Sequence, residues 1–465
     1  MLGLAAAVVI ALSAPPEGLT REAWIVVAIA VLMATWWATE AIPIPATALL
    51  PIVLLPMSGV TTIDAATAPY ATPVVFLFLG GFIIATAIER WGLHRRIALG
   101  IIVKIGKDSH LLILAFMLAT AILSMWISNT ATTLMMTPIA ISVARTFDDD
   151  QKADVFAIAL LLGIAYSSSI GGLMTPVGSP PNLVALGYLK QAHDIDVSFG
   201  RWMAVAAPIG VLMLASTWYL LTRRVFRVNR SIAAEGAVLI RTEFESIGAV
   251  TTPERRIVLV FALVASAWMF RPLLANVPGL SNISDPTIAI AGAISMFLIP
   301  AGKDAKGVAL LDWDSAQKLP WGVILLFGGG LSLAGAIAET GLAAWIGENL
   351  SVMTAFYYGV FLLSAVALVV FMTELTSNTA TMATLAPVLG AITIAAGYDP
   401  LLIIIPAALA VNCAFMLPVA TPPNAIVFAS GRVRIPDMIR AGIWLNLIAI
   451  LAISGVTYFT GPLLL

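Results

Sequence analysis

Charge, histidine and cysteine are scarce in this chain. Only 11% of its 465 residues are charged, less than half of the roughly 25% usual in a soluble globular protein. Cys413 is the single cysteine, so an intramolecular disulfide and a cysteine-based metal cluster are excluded. It lies in an apolar run and reads as packing. The three histidines, His94, His110 and His193, fall in expected loops, which gives histidine-based catalysis little support. No G-x-x-x-x-G-K-[ST] loop is present, nor a domain to hold one, which argues against an ATP-driven pump. Ser128 has no histidine or lysine nearby in sequence and no paired aspartates mark a dyad, so an intramembrane hydrolase is not expected. The longest polar connection spans about 34 residues, too few for a soluble catalytic domain. The chain is not expected to be an enzyme.

What is abundant is apolar. Hydrophobic residues make up 60% of the chain, and its mean hydropathy is +1.00. Apolar runs recur from end to end, which implies an all-α polytopic membrane protein. The runs are continuous where lipid-facing strands would alternate, so a β-barrel is not expected. Expected spans are 1–14, 22–39, 43–57, 72–89, 155–188, 202–221, 255–271, 285–300, 321–340, 400–430 and 439–460. Residues 1–14 lack the basic start of a signal peptide and read as a short first span.

Two further apolar blocks, 111–145 and 356–397, are too long for one span. Each carries a polar run near its middle: WISNTATTLMMTP at 126–138 and LTSNTATMATLAP at 375–387, about 249 positions apart. Each block reads as two half-length helices meeting at a polar tip. Re-entrant hairpins, two squeezed spans, or one span with a surface helix all fit the arm lengths. With eleven spans, hairpins that return to their own side and a cytoplasmic N-terminus, 20 of the 24 Lys and Arg fall in cytoplasmic loops.

The tips belong to an internal repeat. FLFLGGFIIATAIERWGL (76–93) resembles ILLFGGGLSLAGAIAETGL (324–342), with Glu89 and Glu339 in matching places. TPVGSPPNLVA (175–185) resembles LPVATPPNAIVFA (417–429). The expected organisation is a first-span region 1–21, a repeat 22–221 containing hairpin 111–145, a basic linker 222–254, and a repeat 255–465 containing hairpin 356–397. Five spans per unit is an odd number, so the second copy is inverted. Such repeats are a route to alternating access, with the site at their interface.

Buried hydroxyls and amides without partners cost at least about 1–3 kcal/mol each. Ser128, Asn129 and Thr130, and their counterparts Ser377, Asn378 and Thr379, therefore need a ligand, water or backbone. A hairpin tip offers N–H groups to an anion and carbonyls to a cation. Helix capping alone would account for one such run; two in register are read as sites. In Gly178-Ser179-Pro180-Pro181-Asn182 and Ala420-Thr421-Pro422-Pro423-Asn424, paired prolines break a long span near its middle and free more backbone groups. Expected ion ligands are Ser128, Asn129 and Gly178 in one copy, and Thr373, Asn378 and Ala420 in the other. No acid lies at either tip except Glu374, which favours Na⁺ over a divalent ion. Glu374 reads either as a coupling group or as a packed, protonated acid. No Lys or Arg lies at a tip or break. Anion donors would be Asn129, Thr130, Ser179, Asn378, Thr379 and Thr421, with Pro181 and Pro422 shaping the pocket. Glu89 reads as an interfacial acid with Arg90 as its neighbour.

These paired motifs, from about residue 20 to the C-terminus, resemble the divalent anion/sodium symporter family, and within it the bacterial sodium-dependent dicarboxylate transporters. The resemblance implies eleven transmembrane helices, two re-entrant hairpins and an inverted-repeat elevator mechanism, with scaffold and transport domains each drawn from both repeats. It implies uptake of C4-dicarboxylates such as succinate, fumarate and malate, with Na⁺ as the coupling ion, and adds Ser124 to the first sodium site. The family also contains sodium-independent exchangers and symporters for citrate or sulfate, which remain alternatives. Expected partners are the dicarboxylate anion, a second copy in a homodimer and the lipid bilayer, and not nucleic acid. The expected location is a bacterial inner membrane. The amphipathic piece 92–108 is expected to join scaffold to mover along the cytoplasmic surface.

Overall fold

A computed structural model describes residues 2–145, 150–229, 234–302, 305, 307–349 and 357–464. The described residues are mostly helical, with one isolated β-bridge between Pro300 and Ala309. The helix Arg21–Thr39 starts at a Thr20 cap, whose hydroxyl accepts the Ala23 N–H, and ends at Glu40 in a left-handed conformation. The span expected at 43–57 is two short helices, Ile44–Thr47 and Leu50–Met57. Pro51 has no N–H to continue a helix from the preceding turn, so the break falls just before it. Pro73–Arg90 and Asp285–Leu298 pack side by side as the expected spans.

Both long blocks fold as two helical arms around a short polar tip. Ser109–Ser124 and Asn129–Ala144 form the first hairpin. Tyr358–Met372 and Asn378–Ala395 form the second. Both proline-interrupted spans are broken. Asp150–Leu173 gives way to a 3₁₀ turn at Pro176–Gly178 and resumes at Pro180–His193. Leu401–Ala410 stops, eleven residues run without regular helix, and Pro422–Ala429 follows. The prolines start the new helix, where a missing N–H is harmless.

The two copies interlock. Pro180–His193, from the first, packs against the second hairpin's arm Asn378–Ala395. Pro422–Ala429, from the second, packs against the first hairpin's arm Asn129–Ala144. The cavity described below lies where these four elements meet.

Length and composition qualify seven of the described helices to cross a membrane, with six shorter apolar helices beside them. One of the seven, Asn378–Ala395, is a hairpin arm. The expected span at 255–271, observed as Thr252–Met269, is not among them because its first turn carries Glu254, Arg255 and Arg256. Length alone therefore does not separate spans from arms here.

The amphipathic piece is a helix at Leu93–Ile105. The linker expected at 222–254 contains a helix of its own, Ala234–Ser246, which packs on it. Arg95 pairs with Glu243. Arg96 reaches Glu254 at 2.7 Å and the Gly248 carbonyl at 2.7 Å. Arg90, expected beside Glu89, instead pairs with Asp312 at 2.5 Å and donates to Ser315 at 3.2 Å. The following turn of the second copy supplies both partners, so this arginine ties the copies together.

Candidate functional site

The two tips and the two breaks meet around one cavity of about 870 Å³. Its lining includes Ser128, Asn129, Thr130, Gly178, Ser179 and Pro181 from the first copy, and Ser377, Asn378, Thr379, Ala420, Thr421 and Pro422 from the second. Of the expected site residues, Ser124 and Thr373 lie one layer behind this wall. Both are fully buried. The far wall, which the sequence did not point to, comes from Trp37, Glu40, Phe82, Pro320 and Val323. None of the lining residues is Lys or Arg.

Each tip is built in the same way. Ser124 Oγ donates to Asn129 Oδ1 at 2.5 Å, and Thr373 Oγ1 donates to Asn378 Oδ1 at 2.6 Å. The hydroxyl on the first arm thus holds the asparagine that opens the second arm. In this arrangement each amide oxygen has a fixed partner on the preceding arm. Ser128 caps its arm by accepting the Ala131 N–H at 3.1 Å. Ser377 makes no such bond.

Each break is closed by an asparagine. Asn182 Nδ2 donates to the Gly172 carbonyl at 3.0 Å and the Thr175 carbonyl at 2.8 Å. Asn424 Nδ2 donates to the Ala414 carbonyl at 3.1 Å and the Leu417 carbonyl at 3.0 Å. These bonds hold an irregular backbone that would otherwise bury unpaired carbonyls.

Backbone then comes close to the first tip. A methyl on Gly172 would lie 2.6 Å from Asn129 Oδ1, and one on Gly178 would lie 2.7 Å from the Gly172 carbonyl. Only glycine permits both approaches. Ser124 Oγ, Asn129 Oδ1 and the Gly172 carbonyl therefore gather beside Gly178, an all-oxygen set suited to a hard cation of low charge. Thr373, Asn378 and the Val411 carbonyl, 3.0 Å from Thr373 Oγ1, give the second copy a similar oxygen set. Among the described residues no group of three or more His, Cys, Asp or Glu could hold a metal ion. Neutral donors from both tips and breaks face the same space, which can hold a small anion without a fixed positive charge.

Glu374 does not line the cavity. Its carboxylate accepts from the backbone N–H groups of Phe415 at 2.7 Å, Met416 at 2.9 Å and Leu417 at 3.1 Å, and from Asn446 Nδ2 at 2.7 Å. All four neighbours are donors, so the acid pins the second break to the second tip. Of the two readings left open, the geometry fits a packed acid, but not a protonated one, because these four donors leave no acceptor for a carboxyl proton.

Two polar residues that matter were not anticipated. Asn412 joins the two breaks, and Asn446 completes the Glu374 cage. Both are fully buried. Each is an isolated amide in an apolar run, and the cost of burying an unpaired amide was the signal that could have found them.

The profile of the family described as the sodium:sulfate symporter transmembrane region matches residues 1–465. The chain belongs to this family, the divalent anion/sodium symporters. Its members are membrane transporters, not enzymes. A Staphylococcus saprophyticus protein named sodium-dependent dicarboxylate transporter SdcS is 41% identical over 455 residues, covering 96% of this chain and 88% of that protein. A Staphylococcus aureus protein of the same name is 42% identical over 458 residues, covering 97% and 88%. Among solved structures, Neisseria gonorrhoeae MtrF, from a study of antimetabolite efflux pumps, superposes with a TM-score of 0.60 at 14% identity, covering 98% of this chain and 96% of that one. The Alcanivorax borkumensis YdaH transporter gives 0.60 at 15%, covering 96% and 99%. At such identities these two show a shared fold alone. This chain is a multi-pass membrane transporter of that family.

Proposed function

We propose that this transporter couples inward Na⁺ movement to uptake of C4-dicarboxylates such as succinate, fumarate and malate. The observation that carries the reading is one cavity where both SNT tips and both broken spans present neutral polar groups, with oxygen sets directly behind them. The names of the staphylococcal relatives point the same way. Asn129, Thr130, Ser179, Asn378, Thr379 and Thr421 would hold the anion, and Pro181 and Pro422 would shape its seat. Ser124, Ser128, Asn129 and Gly178 would hold one Na⁺. Thr373, Asn378 and Ala420 would hold another.

A dianion in a cavity without Lys or Arg needs cations to offset its charge. Asn129 and Asn378 sit on both sites at once, with the amide oxygen toward the ion and the amide NH₂ toward the anion. That double duty is the physical basis for coupling.

The repeats, 22–221 and 255–465, are read as two inverted units joined by the linker 222–254. The hairpins and broken spans would move as a transport domain against a scaffold drawn from both units, in a homodimer, carrying the site across like an elevator. The interlocked packing of the breaks with the opposite hairpins supports one moving body. The loop charges support a cytoplasmic N-terminus in a bacterial inner membrane.

Calorimetric titration of the purified protein tests the coupling. Raising Na⁺ should tighten succinate binding, and succinate should tighten Na⁺ binding by the same factor. Succinate binding that is indifferent to Na⁺ would overturn the reading.

A further inference from the structure

The two breaks look alike in sequence, yet their hydroxyls are set in opposite directions. Asn412 Nδ2 donates to the Ala408 carbonyl at 2.8 Å and to Asn182 Oδ1 at 2.9 Å. A backbone carbonyl only accepts, so the amide of Asn412 cannot be turned over. The two carbonyls on Asn182 Nδ2 fix that amide in the same way. The oxygen of Asn412 must therefore face Ser179, and the Ser179 hydroxyl donates to it at 2.5 Å. With its proton committed, Ser179 Oγ has only lone pairs left for the cavity it lines, so it is not the anion donor that the sequence pattern suggested. Ser179 makes no side-chain cap to its own helix, so those lone pairs are not taken by its own backbone.

Thr421, its counterpart, is set the other way. Its oxygen accepts the Asn424 N–H at 3.3 Å and caps the helix. Its proton is free to point at the cavity. The register that aligns Ser179 with Thr421 places Ile170 where the second copy has Asn412. Isoleucine offers no acceptor, and Asn424 Oδ1 is left buried without a partner, whereas Asn182 Oδ1 takes the Asn412 amide.

We propose that Asn412 is a positioning residue that makes Ser179 a hydrogen-bond acceptor, so that this wall takes a substrate hydroxyl while Thr421 takes a carboxylate. The site would then favour a C4-dicarboxylate bearing a 2-hydroxyl over the same skeleton without it. Asn412 and Asn182 do not line the cavity, so the effect passes through Ser179. The inference rests on the dicarboxylate reading above.

The test is competition between L-malate and succinate, which differ by one hydroxyl, measured as the ratio of their KM values in proteoliposomes. Asn412→Leu frees the Ser179 proton and should shift the ratio toward succinate by roughly 2- to 10-fold, the range of one neutral hydrogen bond. Ser179→Ala removes the acceptor itself and should shift it in the same direction, which keeps the test decisive if Asn412→Leu fails to fold. A ratio unchanged in a transporting variant would overturn the assignment. So would a change confined to Na⁺ dependence, since Ser179 would then face a cation. Wild-type protein that carries neither acid would remove the dicarboxylate reading and this inference together.

Discussion

The first and second tip-and-break units share a plan but not a fastening. In the first, the Thr175 hydroxyl donates to the Met125 carbonyl at 2.5 Å and accepts the Gly178 N–H at 3.0 Å. One neutral hydroxyl ties tip to break. In the second, Leu417 stands where Thr175 would, and Glu374 stands where Met125 would. There a carboxylate gathers three successive backbone N–H groups and one amide. Charge-assisted bonds of this kind are roughly twice as strong as neutral ones. A repeat can thus keep its ligand-facing groups while changing how they are held, and the two halves of one cavity need not be equally rigid.

Glu374→Ala should have the largest effect, because it leaves four donors unpaired, of which the Phe415 N–H and the Asn446 amide are buried. We expect a loss of about 3–5 kcal/mol of stability or failure to accumulate, read by thermal unfolding in detergent. Met125→Ala, at the matching place, should cost about 1 kcal/mol, since its carbonyl remains. Equal losses would break the comparison.

Asn129→Ala and Asn378→Ala sharpen the likeness between units. Each should weaken Na⁺ and succinate together, by roughly 10- to 100-fold for each lost bond to a charged group. Uptake and Na⁺ dependence kept at wild-type levels in either variant would contradict the double duty of these amides.

Gly172→Ala probes the approach of backbone to Asn129 in the first unit. The second unit has Ala414 at the matching place, so a methyl is tolerated there. In the first it would meet Asn129. Overpacking should cost about 1–3 kcal/mol and reduce Na⁺ affinity, visible in the Na⁺ dependence of uptake. Thr175→Val should be mildest, at about 1 kcal/mol from its lost hydroxyl bonds. A larger loss than from Glu374→Ala would reverse the order of the two fastenings.

Much of this layout could be read from sequence because its physics is local. Paired prolines break helices wherever they occur, so both breaks fell where Pro180-Pro181 and Pro422-Pro423 placed them. Polar runs inside apolar blocks marked both tips for the same reason. What escaped was long-range. Nothing near Asn412 in sequence names Ser179 or Asn182 as its partners, and Asn446 meets Glu374 only after the last helix folds back. Trp37, Phe82 and Val323 of the far wall escaped too, because apolar wall residues look like any span. The helix Ala234–Ser246 was hidden in a stretch read only for its charge.

The central claim is that this site couples Na⁺ to a dicarboxylate. The most direct test is radiolabelled succinate uptake into proteoliposomes without internal substrate, with an inward Na⁺ gradient compared with K⁺ or choline. The account predicts accumulation with Na⁺ alone. Uptake that ignores Na⁺ and appears only after preloading with dicarboxylate would contradict it, and the tips would then serve the anion only.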